Sequence, residues 1–332
     1  MYSLASLHSF GFPSSAHAML SIDVVAELQF QLRHLDNSVI YILGEGSNTV
    51  FLEDYEGTVI KPAFMGINFE HTDTHYLLKV GASENWHQLV LWCMQHQIYG
   101  LENLALIPGT VGASPIQNIG AYGVEVKKYI QHVEYYDLND HNHKVLDTQG
   151  CEFAYRDSVF KKRLADQVLI TTVIFAIPKV WRPVVYYGEL QALSEPSAMD
   201  IFNKVVEVRQ RKLPDPAEIG NAGSFFKNPV ITIKHFIHLQ KTWPSIPSYP
   251  VDTIKVKVPA GWLIEQLGFK GTKIGGIGCH PNQALVLTND GSGTGEQLLK
   301  LARAIKGAVL CEFSIVLENE VRLIGKNGPV IL

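Results

Sequence analysis

Cysteine is scarce and scattered: four in 332 residues, Cys93, Cys151, Cys279 and Cys311, with no CxxC pair. That spacing excludes a disulfide framework and a thiolate zinc site, and in a chain of this length it fits reduced thiols in the cytoplasm. Charged residues amount to only 18%, and a net charge of −4 leaves no basic footprint for nucleic acid. No apolar run approaches the roughly 20 residues that a membrane-spanning helix needs, so no membrane partner is expected. Ala16-His17-Ala18 mimics a signal-peptidase site, but no basic stretch precedes it and Ser, His, Gly and Pro interrupt the apolar run; the segment reads as mature protein. HTDTH at 71–75 and HNH at 141–143 lack a third ligand at zinc spacing, so no metal is expected. Neither a GxGxxG dinucleotide fingerprint nor a GxSxG nucleophile elbow occurs.

What the chain has is apolar material for large cores, 46% of its residues, and a length that suggests two domains. It also has two glycine-rich stretches behind apolar runs. GEGSN places Gly44, Glu45, Gly46, Ser47 and Asn48 after the strand-like VIYIL, where small residues turn successive N–H groups toward one anion. An ordinary Gly/Asn turn explains this loop about equally well. IPGTVGASPIQNIGAYG at 107–123 is longer and more specific. Pro108, Gly109, Pro115, Gly120 and Gly123 fix or free its backbone, and Ser114, Gln117 and Asn118 offer hydrogen bonds beside Ala121 and Tyr122. A loop of that length inside a compact domain is usually functional.

Along the chain, Val25, Leu28, Leu32 and Leu35 predict a helix over 21–35, and SENWHQLVLWCMQHQ predicts one capped by Ser83. TVIKP, YLLKVGA, YIQHVEYYDL and QVLITTVIFAI read as strands, the last two pairing on either side of 139–166, with 139–150 as a hairpin tip. Ile201, Val205 and Val208 share one face of a helix that ends at the prolines of LPDP, which sets a domain boundary near 213. AGWLIEQLG reads as a helix and ALVLT as a strand. Thr294-x-x-Gln297 is a capping box for the helix after it, and FSIVLENEVRLIG reads as two short strands around a turn. Alternating strands and helices indicate an α+β or α/β protein.

Individual polar residues are ambiguous alone. Ser224 in NAGSFFKNP stands between a glycine and two phenylalanines, with Lys227 and Asn228 near, and suits a proton donor better than an acylating nucleophile; a plain loop serine is the simpler reading. Glu318 and Glu320 would share a face if LENEVRLIG is a strand, as would any two carboxylates on a solvated strand. Arg156 in AYRDSVFK is an anion-binding arginine or a surface corner.

In this order, ILGEGSN, IPGTVGASPIQNIGAYG, FAYRDSVFK, YYGEL, KLPDP–NAGSFFKNP, AGWLIEQLGFKG and LENEVRLIG resemble the UDP-N-acetylenolpyruvoylglucosamine reductases, over residues 40 to 325. YYGEL resembles the subtype with a substrate-covering tyrosine loop. The resemblance implies an α+β fold: a two-lobed FAD-binding half like that of the vanillyl-alcohol-oxidase-like flavoproteins, spanning 1–212 with lobes at about 1–65 and 66–212. A substrate-binding domain over 213–319 follows, and 320–332 packs back on the first lobe. It implies noncovalent FAD held by the glycine loops with Arg209 and Arg322, and NADPH as hydride donor. The substrate is a UDP-sugar bearing an enolpyruvyl carboxylate. By resemblance Arg156 and Glu320 stabilise the charge that develops on hydride addition, Glu320 holding or sharing a proton, and Ser224 protonates carbon. Tyr187, Lys212, Asn228, Lys270 and Gln283 would contact the diphosphate and uridine. The family suggests a cytoplasmic monomer. His8-Ser9 stands where the family usually has Asn-Thr, and HPNQ at 280–283 is a looser match. Two other readings are an FAD-dependent sugar or aldonolactone oxidase of the same fold, and a nucleotide-sugar-binding protein without catalysis.

Overall fold

The computed structural model describes residues 1–32 and 39–332. Near the N-terminus, β1 (Ser15–Ile22), β2 (Ile40–Ile42) and β4 (Tyr55–Pro62) form a sheet in which β4 lies parallel to both partners, and Tyr2–Ser3 adds an antiparallel edge to β1. β3 (Thr49–Phe51) belongs to a separate small sheet. The crossover from β1 carries helix α1 (Val25–Leu32), whose Leu28 is buried against Ile22 and Ile60. Leu35, expected on the same helix, lies outside the described residues. Ala16 and Ala18, the signal-like pair, are part of β1.

The next sheet is antiparallel and five-stranded. Its order is β8 (His143–Asp147), β7 (Ile130–Asp137), β9 (Val168–Pro178), β6 (His75–Gly81) and β5 (Ile67–His71). β7 and β9 pair as their β-branched runs predicted, and 143–147 is a full edge strand, so the hairpin turn falls at 138–142. Helix α2 (Trp86–Gln95) buries Trp86, Leu89 and Val90 in the same core as Val173 and Phe175, and α3 (Ala198–Lys212) adds Ile201 and Val205. The cap of α2 is not Ser83. Asn85 has the extended backbone of a cap and accepts the Gln88 N–H, because its bridge to Thr110 holds it there.

Beyond the LPDP stop, β10 (Gly220–Ser224), β12 (Val286–Asn289), β11 (Ile277–Cys279) and Lys273–Ile274 form an antiparallel sheet. Helix α4 (Ile233–Thr242), helix α5 (Ala260–Gln266) and helix α6 (Gly295–Phe313) share a core with it, which Phe10 and Phe12 of the N-terminal segment also enter. The Thr294/Gln297 capping box opens α6 as read from sequence.

The C-terminal reading needs correction. α6 runs to Phe313, Ser314 takes a left-handed turn, and residues 315–321 make a single bridge, Asn319 to Phe226, rather than a strand. Only β13 (Arg322–Gly325) is a strand; it lies parallel to β3 and antiparallel to Gly328–Pro329. Among the described residues no helix is long and apolar enough to cross a membrane.

Candidate active site

The glycine loops face each other. Gly46 has φ +67°, and a Cβ there would sit 2.0 Å from the Leu7 carbonyl oxygen, so the first loop closes only with glycine. Glu45 ties the loops together: one carboxylate oxygen accepts the Gly109 N–H at 3.0 Å and the other accepts Asn85 Nδ2 at 2.7 Å. Asn48 Nδ2 donates to Gln117 Oε1 at 3.2 Å. Within the second loop Ser114 donates to the Val111 carbonyl. Buried Asn118 donates to Glu125 and the Ala154 carbonyl while accepting the Lys127 N–H. These two side chains, expected to face a cofactor, are used up in shaping the loop; Pro115, Gly120, Ala121 and Gly123 serve as its backbone.

Between the loops lies a narrow cavity of about 70 Å³ lined by Gly44, Thr110, Gly112, Ala113, Phe160 and Arg322. An adjoining space of about 90 Å³ is lined by Ser47, Asn48, Gly109, Gln117 and Lys161. Arg322 spans the two lobes, lying over the Tyr41 ring and paired with Asp166. Arg209, from the last turns of α3, has a buried Nε with no hydrogen-bond partner among the described residues, and burial pushes its pKa down. An unpaired guanidinium and two facing N–H-rich loops suit a dinucleotide diphosphate.

The reactive end is assembled from distant segments. Arg156 sits at a left-handed turn, φ +52°, donates to the Gly120 carbonyl at 2.8 Å, and holds Nε 2.8 Å from Glu320 Oε1. That contact is an ion pair lying off the N–H axis, since Nε makes no aligned hydrogen bond. Glu320 is fixed by its N–H to the Phe225 carbonyl and by Asn48 Nδ2 on its own carbonyl. Ser224 precedes Phe225, so the serine and the Arg156–Glu320 pair belong to one backbone junction. Glu318, the other carboxylate, is exposed and paired with Lys227.

Lys161 was not apparent from sequence. A single turn capped by Ser158 brings it back to the Arg156 carbonyl, 3.3 Å away, and it makes no ion pair among the described residues. Burial, with Lys227 nearby, pushes its pKa down to about 8, against the attraction of Glu320. No spacing rule in the sequence marks it.

The residues expected to meet a UDP-sugar are spread over the second domain and the tyrosine segment. Tyr187 stacks on Tyr249 at 5.6 Å and meets Tyr122 edge-on at 6.3 Å, and burial pushes its hydroxyl up to about 12. Asn228 accepts the first N–H of α5 and meets Tyr155, whose ring lies under Lys257. Lys212 is paired with Glu189 at 3.0 Å. Lys270 pairs with Glu265 of α5, and Gln283 lies against Gly261 of the same helix. Ser9, at the family's threonine position, donates to the Asn221 carbonyl at 2.6 Å and takes the Gly46 carbonyl on its N–H, joining the first loop to β10.

Glycine-rich loops facing each other across a cavity, beside a second separate core, are the frame of a flavin-binding oxidoreductase. Residues 23–148 match the FAD binding domain, and residues 215–324 match the UDP-N-acetylenolpyruvoylglucosamine reductase C-terminal domain. The chain is 56% identical over 330 residues to the UDP-N-acetylenolpyruvoylglucosamine reductase of Pseudoalteromonas atlantica, covering 99% of this chain and 96% of that one. It is 46% identical to that of Idiomarina loihiensis, covering 100% and 99%. The crystal structure of UDP-N-acetylenolpyruvylglucosamine reductase from Thermus caldophilus superposes with a TM-score of 0.68 over 97% of each chain, at 21% identity, which shows the same fold. The chain belongs to the UDP-N-acetylenolpyruvoylglucosamine reductase family.

Proposed function

We propose that this chain reduces the enolpyruvyl group of UDP-N-acetylglucosamine enolpyruvate to UDP-N-acetylmuramate, the peptidoglycan precursor, with FAD as noncovalent cofactor and NADPH as hydride donor. The observation that carries the reading is the single junction of Arg156, Glu320 and the Ser224 segment, bonded to Asn48 and Lys161, which line the space between the two glycine loops. The FAD held there would supply the hydride chemistry that links NADPH to the β-carbon of the enolpyruvyl group. The glycine loops hold its diphosphate, with Arg209 and Lys161 supplying positive charge; neither loop carries a His or Cys to attach it.

Arg156 receives the substrate carboxylate in place of Glu320, and hydrogen bonding from Arg156 and a proton shared with Glu320 hold the negative charge that builds there. Ser224 then gives its hydroxyl proton to the adjacent carbon. Phe225 and Phe226, both buried, keep water from the serine's back side. Lys212, Asn228 and Tyr187 hold and cover the diphosphate, with Lys270 and Gln283 on the α5 side toward the uridine. The enzyme works as a monomer.

An absorbance spectrum of the purified protein tests this. The expected result is a yellow protein that releases free FAD in acid, bleaches anaerobically with NADPH and regains colour with the enolpyruvyl UDP-sugar. Recovery of colour with oxygen alone would favour an oxidase. A colourless protein that takes up no FAD would leave only nucleotide-sugar binding.

A further inference from the structure

The tyrosine segment carries a carboxylate for which the proposed reaction has no use. Glu189 lies in the short turn Gly188–Ala192, two residues after Tyr187 and directly after Gly188, whose φ of +56° lets the chain reverse there. One of its oxygens is 3.0 Å from Lys212 Nζ and 2.5 Å from Arg211, and the other is 3.8 Å from Lys204 Nζ. Three cations of one helix thus converge on one carboxylate, and Arg211 and Lys212 together hold it down to about pH 2. This is the charge arrangement of an anion site filled from within the chain.

The same segment is anchored on its other side by uncharged contacts. Tyr186 donates to the Gly123 carbonyl at 2.7 Å, and Tyr187 stacks on Tyr249. The element that covers the cleft therefore also neutralises the lysine that is to meet the diphosphate. We propose that Glu189 is a built-in competitor for the nucleotide diphosphate, holding Lys212 in place when none is bound and giving it up when one arrives. The inference rests on the reading of Lys212 as a diphosphate cation.

The charges decide the direction of exchange. A carboxylate carries one negative charge and a diphosphate at least two, and the half-exposed side chains of Lys212 and Arg211 exchange partners in water at small cost. A monoanion gains nothing by displacing Glu189, so the device selects for diphosphates. It also lowers affinity for them, since Lys212 must first lose its own partner. Glu189 is a positioning residue, acting on the ligand through Lys212.

Calorimetric titration of the FAD-loaded enzyme with UDP, and separately with uridine, tests the proposal in native protein, Glu189→Gln, Lys212→Met and the double variant. Glu189→Gln is expected to bind UDP about two- to fivefold more tightly at low salt, the size of one exposed charge pair. The gain should shrink at high salt, vanish in the Lys212→Met background, and be absent for uridine. If Lys212→Met binds UDP as tightly as native enzyme, the diphosphate reading of Lys212 fails and takes the proposal with it. If Lys212→Met weakens UDP but Glu189→Gln leaves it unchanged or weaker, Lys212 keeps its role and Glu189 is only a prop for the tyrosine segment.

Discussion

Two carboxylate–cation clusters flank the cleft, and they are built on opposite terms. Arg156 and Glu320 are largely covered, their side chains 20% and 13% exposed; Lys161 holds the Arg156 carbonyl, and Glu320 is held through its N–H and its carbonyl. In the Glu189 cluster the side chains of Arg211 and Lys212 are each about half exposed, and no comparable side-chain clamp on the Glu189 backbone is seen among the described residues. Charges fixed in a covered site keep their orientation as a reaction proceeds, which makes them useful where charge develops. Charges in water exchange partners readily and suit a ligand that comes and goes. One chemistry thus serves two purposes, separated by how much solvent reaches it.

The fixed cluster is where the largest losses belong. Ser224→Ala is expected to leave reduction by NADPH nearly unchanged and to slow reoxidation by the enolpyruvyl substrate by ~10²–10⁴-fold, followed by anaerobic stopped flow. Equal slowing of both half-reactions would remove Ser224 from the fixed cluster's task. Gly46→Ala forces a Cβ against the Leu7 carbonyl at a positive φ; we expect a loss of about 2–4 kcal/mol in denaturant unfolding and poor FAD retention. Normal FAD content in a stable Gly46→Ala protein would mean that the loop is not the rigid wall described.

Smaller effects mark the periphery. His8 is buried and its pKa is lowered to about 4 by burial. Between pH 6.5 and 4 the unfolded chain therefore binds the proton that the folded one refuses, and stability falls as pH drops through that window. His8→Gln should flatten this limb by up to about 3 kcal/mol in pH-resolved urea melts; an unaltered slope would show that His8 titrates freely. Least of all, Lys204→Met removes one arm of the exposed cluster and should cost under about 1 kcal/mol of stability. A cost several times larger would erase the distinction between the two clusters.

Much of this was readable along the chain where the controlling chemistry is local. The prolines after Lys212 stop α3, Thr294 and Gln297 start α6, and the glycine stretches make turns that little else could make. Reading failed where a choice depends on residues far away. Ser83 and Asn85 are both capping types, and the bridge to Thr110 with the Glu45 contact decides for Asn85. Ile315 and Leu317 are buried between exposed Val316 and Glu318, a true strand pattern, but only one partner residue lies alongside. Lys161 and Glu189 gain meaning from neighbours that no spacing rule connects to them. Ser114 and Asn118 belonged to the right loop but point into its own frame.

β13 lies beside β3, so a wall of the first lobe is contributed by residues that follow the whole of the second core in sequence. Arg322, which lines the cavity, arrives with that strand. The cavity wall is therefore closed only when two segments far apart in the chain have found each other. Cofactor capture becomes a report of that long-range closure, and a chain cut before Arg322 is expected to remain colourless.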